Sequence, residues 1–323
     1  MNPGYNKPLY LLPFDHRESY LSGMFHFETP LTQEQHDTVT DSKRVIYDGF
    51  REAVAAGVAA SSAGILVDEE FGDQILRDAA RSGYVTAVSV EKSGQQEFEF
   101  EYGDGFAAHL DAVKPTFAKV LVHYNPEGDA AMNQRQAARL RRVSDYCRQS
   151  GRRFMFELLV SATEEQLKYL HGNKDNYDSQ LRPPLMRRAI RDLQDAGVEP
   201  DVWKIEGLDS REDCEMVVDT VQRDGRRQVS CIVLGRGADE NKVVQWLKTA
   251  AAVPGFTGFA VGRTSFWDAV ANYEAKKITR EEAVSRIARR YREWVGIFEQ
   301  AHEGNHEGNA NKPNMDTAAK ANT

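Results

Sequence analysis

The sequence is poor in the features that mark membrane, secreted and nucleic-acid-binding proteins. Its 323 residues include only three cysteines, Cys147, Cys214 and Cys231, without CxxC spacing, which suits a reducing compartment. No apolar run approaches the roughly 20 residues that span a bilayer, and the N-terminus has no signal-peptide pattern. A formal net charge of -8 argues against a basic surface for phosphate backbones. We therefore expect a cytoplasmic protein with no membrane or nucleic-acid partner.

Signatures of metals and nucleotide cofactors are also missing. The histidines that precede the C-terminal segment form no HxH or HExxH cluster. No predicted strand opens into GxGxxG or GxxxxGK[ST], the glycine-rich turns that bind dinucleotides and nucleoside triphosphates. The sequence therefore predicts neither a metal centre nor a cofactor.

Short β-branched or aromatic runs alternate along the chain with longer segments of helical periodicity, which predicts a parallel sheet with crossover helices. Eight such units favour a closed (β/α)8 TIM barrel over the alternative, an open doubly wound sheet. The predicted strands cover residues 8–15, 63–68, 83–91, 117–124, 153–160, 200–208, 229–235 and 256–262.

We expect this barrel to form a single domain over residues 1–302. The last amphipathic helix, predicted over 279–303, either closes the barrel or pairs with a second subunit, so a homo-oligomer is one of two expectations. From about residue 303 the sequence becomes rich in Gly, Asn and Ala. Such a segment has too little apolar surface to order itself, and we predict a disordered tail over residues 303–323.

The stretch PDVWKIEGL, residues 200–208, sets charged residues inside an apolar strand. Alternation along a strand places Lys204 and Glu206 on one side and Trp203 on the other. If Trp203 packs against the helices, Lys204 points into the barrel. Burial there favours the neutral amine that attacks a ketone and forms a Schiff base. A structural ion pair between Lys204 and Glu206 is the alternative interpretation.

Other charged residues lie in or end the neighbouring predicted strands. Burial should raise the pKa of Glu157, in FMFELLV, which suits a general acid/base, although pairing with a nearby lysine or arginine is equally open. Lys119 and His123 share one face of the fourth strand, and the first strand ends at Asp15, shortly before Arg17. Because the carboxyl ends of barrel strands meet at one mouth, these side chains should form a polar site there.

The last two predicted strands each end in glycine beside arginine. LGRGAD contains Gly235, Arg236 and Gly237, and FAVGRT contains Gly262 and Arg263. Glycines let backbone N–H groups approach an oxyanion, and the loops after strands seven and eight are the usual phosphate site of this fold. Tight turns explain the glycines but not the arginines, so we predict that these residues bind phosphate.

Six segments carry a family resemblance that covers about residues 8–300. They are LLPFDHRESY, KVLVHYNPEGDAAMNQRQAARL, FELLV, LRPPLMRRAIRDLQDAGVEPDVWKIEGLD, CIVLGRGAD and GFAVGRT. The chain resembles the class I tagatose-bisphosphate and sulfofructose-phosphate aldolases. It resembles more closely the DUF2090-like aldolase domain fused to a sugar kinase of myo-inositol catabolism. That resemblance implies cleavage of 2-deoxy-5-keto-gluconate 6-phosphate into dihydroxyacetone phosphate and malonate semialdehyde.

Carried over residue by residue, the resemblance implies that Lys204 is the Schiff-base lysine and Glu157 the general acid/base. Lys119 matches a lysine beside the carbonyl, and Asp15 matches the acidic residue that ends strand one. Residues that match or extend the phosphate and substrate contacts are Arg17, His123, Glu206, Gly235, Arg236, Gly237, Gly262 and Arg263. Strand six continues into Gly207, where the bisphosphate aldolases have Val-Pro, and strand seven ends in GRG, where theirs runs through a serine. The sugar itself therefore stays open.

The sequence thus predicts a class I aldolase, a carbon–carbon lyase that acts on a phosphorylated keto sugar or keto sugar acid. An arginine or histidine at the mouth, such as Arg17 or His16, favours the keto sugar acid, because its aldehyde product carries a carboxylate. An aldolase of the tagatose-bisphosphate or sulfofructose-phosphate type is a second interpretation. A non-catalytic phosphosugar-binding barrel is a third, although a binder would not need Lys204, Glu157 and Lys119 together.

Overall fold

A computed structural model describes the backbone of residues 4–310 and the side chains of residues 4–304. Eight parallel strands form a closed barrel in which each strand pairs with its neighbours in chain order and the last strand returns to the first. The predicted TIM barrel is confirmed, and the open doubly wound alternative is wrong.

The strands are short and nearly all their residues are buried. They are β1 (Leu9–Pro13), β2 (Ala63–Val67), β3 (Val85–Ser89), β4 (Phe117–His123), β5 (Arg153–Leu159), β6 (Val202–Glu206), β7 (Ser230–Leu234) and β8 (Phe256–Ala260).

Helices follow the strands and cover the outside of the barrel. The longer ones are α1 (Gln33–Ala55), α2 (Glu69–Arg81), α3 (Phe106–Val113), α4 (Ala130–Ser150), α5 (Glu164–Tyr169), α6 (Arg182–Asp195), α7 (Arg211–Val221), α8 (Glu240–Ala251), α9 (Arg263–Glu274) and α10 (Arg280–Ala310). Single helical turns cover Glu18–Tyr20, Leu21–Phe25, Gly103–Gly105, Lys174–Asn176, Tyr177–Leu181 and Arg223–Gly225. Within the described residues, no helix is long and apolar enough to cross a bilayer.

Strand alternation divides the core into two clusters. The cluster inside the barrel consists of Leu9, Leu11, Leu66, Ala87, Phe117, Met155, Val202, Ile232 and Ala260. Trp203 and Ile205 belong instead to the larger cluster between strands and helices. Lys204, two residues beyond Val202, therefore points into the barrel as predicted, toward the carboxyl ends of the strands.

The last helix closes the outside of the barrel by packing against α1, α8 and α9. It continues to Ala310 and so passes the predicted tail boundary at residue 303. A residue added to an existing helix gains one hydrogen bond when its own backbone is ordered, whereas the first turn must order three residues for one bond. A helix therefore extends more readily than it starts. The rest of the predicted tail, residues 311–323, lies outside the described residues.

Candidate active site

A cavity of about 620 Å³ opens at the carboxyl ends of the barrel strands. It is lined by eleven residues that the sequence predicts for the site: Asp15, Arg17, Lys119, His123, Glu157, Lys204, Gly235, Arg236, Gly237, Gly262 and Arg263. This end of the barrel is where enzymes of the fold place their chemistry.

Two lysines share one carboxylate oxygen inside this cavity. The Nζ atom of Lys204 lies 2.7 Å from Oε2 of Glu157, and the Nζ atom of Lys119 lies 2.9 Å from the same oxygen. Lys204 and Glu157 are register partners in β6 and β5, so backbone pairing holds their side chains at the same height in the mouth. The ion partner of Lys204 is thus Glu157 on the neighbouring strand rather than Glu206 on its own strand.

Lys119 is surrounded by three carboxylates. Its Nζ atom lies 2.8 Å from Oδ2 of Asp15, 2.7 Å from Oε1 of Glu91 and 2.9 Å from Glu157. Burial alone would lower the pKa of Lys119, but these three carboxylates together raise it well above its ordinary value. Lys119 is therefore a fixed cation, unsuited to supply a neutral amine.

The same contacts determine the charge of the two predicted catalytic carboxylates. Burial would raise the pKa of Asp15, but the ammonium groups of Lys119 and Lys204 hold it well below its usual range. Burial likewise opposes ionisation of Glu157, yet the same two lysines lower its pKa. The expectation that the pKa of Glu157 is raised is therefore wrong, because two cations outweigh the loss of solvent. Both carboxylates are ionised at neutral pH and can accept protons.

A third carboxylate, Glu91, belongs to this cluster and was not predicted from the sequence. It follows β3, is 7% exposed and lines the cavity. Burial raises its pKa, against the opposing effect of Lys119 and Arg17. Nη2 of Arg17 donates to the backbone oxygen of Glu91 at 2.7 Å, and Nη1 donates to Glu101 at 2.6 Å. The sequence did offer one signal for it, because Glu91 is the last residue of the predicted strand 83–91 and strand ends were expected to line the site.

Two histidines line the cavity, and both favour the neutral imidazole. His123 lies with its Nδ1 atom 3.2 Å from the hydroxyl of Ser161, and burial lowers its pKa. Burial lowers the pKa of His16 to about 4, with Asp15 opposing and the nearby Arg263 adding to the shift. Neither histidine carries a charge at neutral pH that would attract an anion.

Glu206 does not line the cavity, although the sequence placed it among the substrate-binding residues. Its Oε2 atom accepts a hydrogen bond from the backbone N–H of Val160 at 2.9 Å, and its Oε1 atom lies 3.1 Å from Nε of Arg236. Glu206 is the last residue of β6, where the strand leaves the barrel wall and neighbouring loops can reach its side chain. Arg236 also binds both carboxylate oxygens of Asp178 at 3.0 Å.

The loops after β7 and β8 have features that are typical of an anion site. Arg236 and Gly237 both have positive φ, 51° and 70°, so the loop after β7 turns sharply into the cavity. Helix α9 begins at Arg263 after Gly262, and no side chain caps its first N–H groups. Unpaired N–H groups at a helix start attract anions, and Arg263 adds a guanidinium there. Gly262 also allows close packing, because a Cβ atom would lie 2.4 Å from the backbone oxygen of Pro13.

Among the described residues, no three His, Cys, Asp or Glu side chains are grouped so that they could hold a metal ion. The functional groups that line the cavity are lysines and carboxylates beside the glycines and arginines of the loops after β7 and β8. These residues can form an imine, exchange protons and bind a phosphate group.

Fold and site together define a (β/α)8 barrel with a lysine–carboxylate cluster at its carboxyl mouth. The model of the family described as "Uncharacterized protein conserved in bacteria (DUF2090)" matches residues 3–302. The chain belongs to this family, which confirms that part of the sequence resemblance. A search of curated proteins gave no match.

Solved structures share the fold at low sequence identity. A fructose-bisphosphate aldolase from Plasmodium falciparum is 13% identical with a TM-score of 0.60, covering 92% of this chain and 98% of that one. Cgl0159 from Corynebacterium glutamicum is 15% identical with a TM-score of 0.53, covering 90% and 88%. The YdjI aldolase from Escherichia coli K12 is 11% identical with a TM-score of 0.53, covering 92% and 94%. At these identities the similarity establishes the fold alone.

Proposed function

We propose that the protein is a class I aldolase, a carbon–carbon lyase that cleaves a phosphorylated keto sugar through a Schiff base on Lys204. The observation that carries this proposal is the shared oxygen of Glu157, which lies 2.7 Å from Lys204 and 2.9 Å from Lys119. Lys119 is a fixed cation, so Lys204 is the lysine suited to act as the nucleophile. Two of the solved structures with this fold are named as aldolases, which supports the same reaction class.

Imine formation is the first chemical step of the proposed mechanism. Lys204 gives one proton to the carboxylate of Glu157, and its neutral amine attacks the ketone carbon. The nitrogen then loses a second proton, and the ketone oxygen takes up both protons and leaves as water, which restores the Glu157 carboxylate. The resulting iminium is an electron sink next to the bond that breaks. Lys119 lies beside this position as a fixed positive charge and is suited to bind the ketone oxygen before it leaves.

Cleavage then requires a base for the hydroxyl group of the future aldehyde carbon. Glu157 is ionised, contacts Lys204 directly and is therefore placed to accept that proton. The hydroxyl oxygen becomes the aldehyde carbonyl, the carbon–carbon bond breaks, and its electron pair moves into the iminium to give an enamine. Protonation of the enamine carbon and hydrolysis of the imine release the ketone and restore Lys204.

The phosphate group would bind between the loop after β7 and the start of α9. Arg263 and the N–H groups of that helix supply positive potential, and the glycines of the loop let the backbone approach. Binding energy from a group remote from the reaction can orient the reacting bond and so accelerate cleavage. Arg236 should contribute less to phosphate binding, because its guanidinium is already paired with Asp178 and Glu206.

The family resemblance supports 2-deoxy-5-keto-gluconate 6-phosphate as the substrate, with dihydroxyacetone phosphate and malonate semialdehyde as products. A substrate of the tagatose-bisphosphate or sulfofructose-phosphate type would give the same ketone product and a different aldehyde. The proposed Schiff-base chemistry on dihydroxyacetone phosphate is common to all three.

Solvent exchange of a carbon-bound proton of dihydroxyacetone phosphate tests the proposal without knowledge of the aldehyde. Enamine formation and reprotonation in deuterium oxide replace one hydrogen next to the ketone, which proton NMR measures. The wild type should catalyse this exchange, and Lys204→Met should abolish it. Glu157→Gln should reduce the rate by about 10²- to 10⁴-fold, the usual contribution of a general acid/base. Lys248→Met, at an exposed position of α8, is the matched control and should leave exchange unchanged.

A phosphosugar-binding barrel without catalysis would give a different result. It would bind dihydroxyacetone phosphate, measured by calorimetry, with no exchange in either the wild type or Lys204→Met. That outcome would overturn the proposed function.

A further inference from the structure

His16 lines the cavity beside the loop after β8, and the proposed mechanism gives it no role. Its Cε1 atom would lie 3.5 Å from a Cβ atom added at Gly262, so the ring packs against the segment that leads into α9. The ring also meets that of Phe266, near the start of α9, edge-on, with the two centroids 6.2 Å apart. His16 is therefore a neighbour of the proposed phosphate site, although it belongs to the loop after β1.

The two ring nitrogens of His16 differ in their access to the cavity. Nδ1 is buried and has no hydrogen-bond partner among the described residues. Nε2 has no partner among those residues either, but it is not buried, and His16 as a whole is partly exposed. The backbone of His16 is held in place, because Nζ of Lys43 donates to its carbonyl oxygen at 3.1 Å. Nε2 is therefore the ring nitrogen that a ligand in the cavity can reach.

The charged groups around His16 come from four elements of the barrel. They are Asp15 on its own loop, Lys43 on α1, which is paired with Asp68, Lys204 on β6, which is paired with Glu157, and Arg263 on α9. Arg263 donates to the backbone oxygen of Arg236 at 3.3 Å and pairs with no carboxylate among the side chains that the structure describes. Burial, together with these cations, lowers the pKa of His16 to about 4, so the ring is neutral in the free protein. A bound dianion would reverse this balance, because a nearby opposite charge favours the charged form of a titratable group.

We propose that Nε2 of His16 donates a hydrogen bond to the phosphate group of the substrate and that His16 takes up one proton from solvent when this group binds. The phosphate dianion would then lie between the imidazolium of His16, from the loop after β1, and Arg263 with the first N–H groups of α9. His16 would contact the phosphate rather than the aldehyde half of the substrate. This inference rests on the phosphate site of the proposed function and applies equally to the three substrates named there.

Sulfate binding tests this role of His16, because sulfate has the shape of phosphate and stays a dianion throughout the range in which histidine titrates. Calorimetry at pH 6 in two cationic buffers with different ionisation enthalpies measures the protons taken up per sulfate ion bound. The wild type should take up about one proton, and its affinity for sulfate should rise by up to about 10-fold for each unit by which the pH falls from 7 to 5.

Two substitutions separate the proton from the hydrogen bond. His16→Asn removes the titrating ring and should abolish proton uptake, with about 10-fold weaker sulfate binding at pH 6 because a charged hydrogen bond is lost. His16→Gln keeps an N–H donor near the position of Nε2 and should retain part of the affinity without proton uptake; it also decides the question if His16→Asn does not fold, as judged by circular dichroism. His109→Asn is the matched control, because His109 stacks on Tyr102 outside the cavity lining, and it should behave as the wild type.

Failure of this inference can be told apart from failure of the proposed function. A wild type that exchanges the protons of dihydroxyacetone phosphate but does not bind sulfate, or binds it without proton uptake, overturns only the role of His16. The same holds if the folded variants His16→Asn or His16→Gln take up a proton as the wild type does. A wild type that takes up a proton at His16 but does not exchange those of dihydroxyacetone phosphate supports this inference and contradicts the aldolase itself.

Discussion

The Nζ atom of Lys204 lies 2.7 Å from Oε2 of Glu157, and the two residues are paired in register across β6 and β5. Their contact is therefore fixed by the hydrogen-bonded wall of the barrel rather than by a loop. Groups carried on such rigid elements hold their geometry more closely than groups on loops. The proposed reaction depends on this pair and on the fixed charge of Lys119 beside it, and both can be tested separately.

Replacing Lys119 with methionine should destabilise the protein in a pH-dependent way. The substitution leaves Asp15, Glu91 and Glu157 close together without their shared cation. Removing one partner of a buried ion cluster costs about 3 to 5 kcal/mol in the free energy of unfolding at pH 7. In the variant, mutual repulsion should raise the pKa values of these carboxylates above those of the unfolded chain.

The folded variant then binds more protons than its unfolded state as the pH falls, so acid should stabilise it relative to the wild type. Urea unfolding of both proteins at pH 7 and pH 5 measures this change. The stability difference between them should shrink at pH 5. A difference that is equal at both pH values would contradict the role of Lys119 as the charge partner of the three carboxylates.

The partly buried His16 should make the protein less stable in mild acid. Its pKa is lowered to about 4 in the folded state, below the ordinary histidine value. The unfolded chain therefore binds more protons between about pH 6.5 and pH 4, and stability falls as the pH decreases through that range. From pH 7 to pH 4.5 this single group should remove about 2 to 3 kcal/mol from the free energy of unfolding.

The variant His16→Asn lacks the titrating group and is the appropriate comparison. Urea unfolding at several pH values should show a shallower loss of stability in the variant than in the wild type. Parallel pH profiles of the two proteins would show that His16 is solvated enough to titrate normally.

Two glycines of the predicted phosphate site should differ in their tolerance of alanine. A Cβ atom at Gly262 would lie 2.4 Å from the backbone oxygen of Pro13, which cannot move without disturbing β1. At Gly235, the nearest atom to an added Cβ is a side-chain carbon of Val261 at 3.4 Å, an ordinary contact. Gly262→Ala should cost about 1 to 3 kcal/mol by overpacking, and Gly235→Ala should cost much less.

Thermal or urea unfolding measures the stability of both variants, and calorimetry with inorganic phosphate measures binding. Gly262→Ala should also weaken phosphate binding, because it displaces the start of α9 and with it Arg263. Equal effects of the two substitutions on stability would contradict the close packing of β1 against the start of α9.

The alternation of side chains was enough to predict which way Trp203 and Lys204 point. Trp203 faces the helices and Lys204 faces the barrel interior, as the pattern in residues 200–208 indicates. The same alternation predicted Glu206 for the mouth, but the residue ends its strand and is bound by Val160 and Arg236. Alternation specifies the side of a strand and not the partner that a side chain finds there.

The charge interactions of the cluster could not be predicted without knowing the register between the strands. Burial of Glu157 was visible in its apolar neighbours, whereas its two lysine partners come from β4 and β6. Their combined charge reversed the expected direction of its pKa shift. Glu91 was missed for a related reason, since a lone carboxylate at a strand end has no motif, and its partners are Lys119 on the neighbouring strand and Arg17 after β1.

Borohydride trapping tests the central claim, that Lys204 forms a Schiff base. Wild type, Lys204→Met and Lys119→Met are incubated with dihydroxyacetone phosphate, reduced, and analysed by intact and peptide mass spectrometry. A stable adduct on the peptide that contains Lys204, absent from Lys204→Met and still detectable in folded Lys119→Met, is the predicted result. The account would be contradicted if the wild type binds dihydroxyacetone phosphate without forming an adduct. It would also be contradicted if the adduct lies on the peptide that contains Lys119.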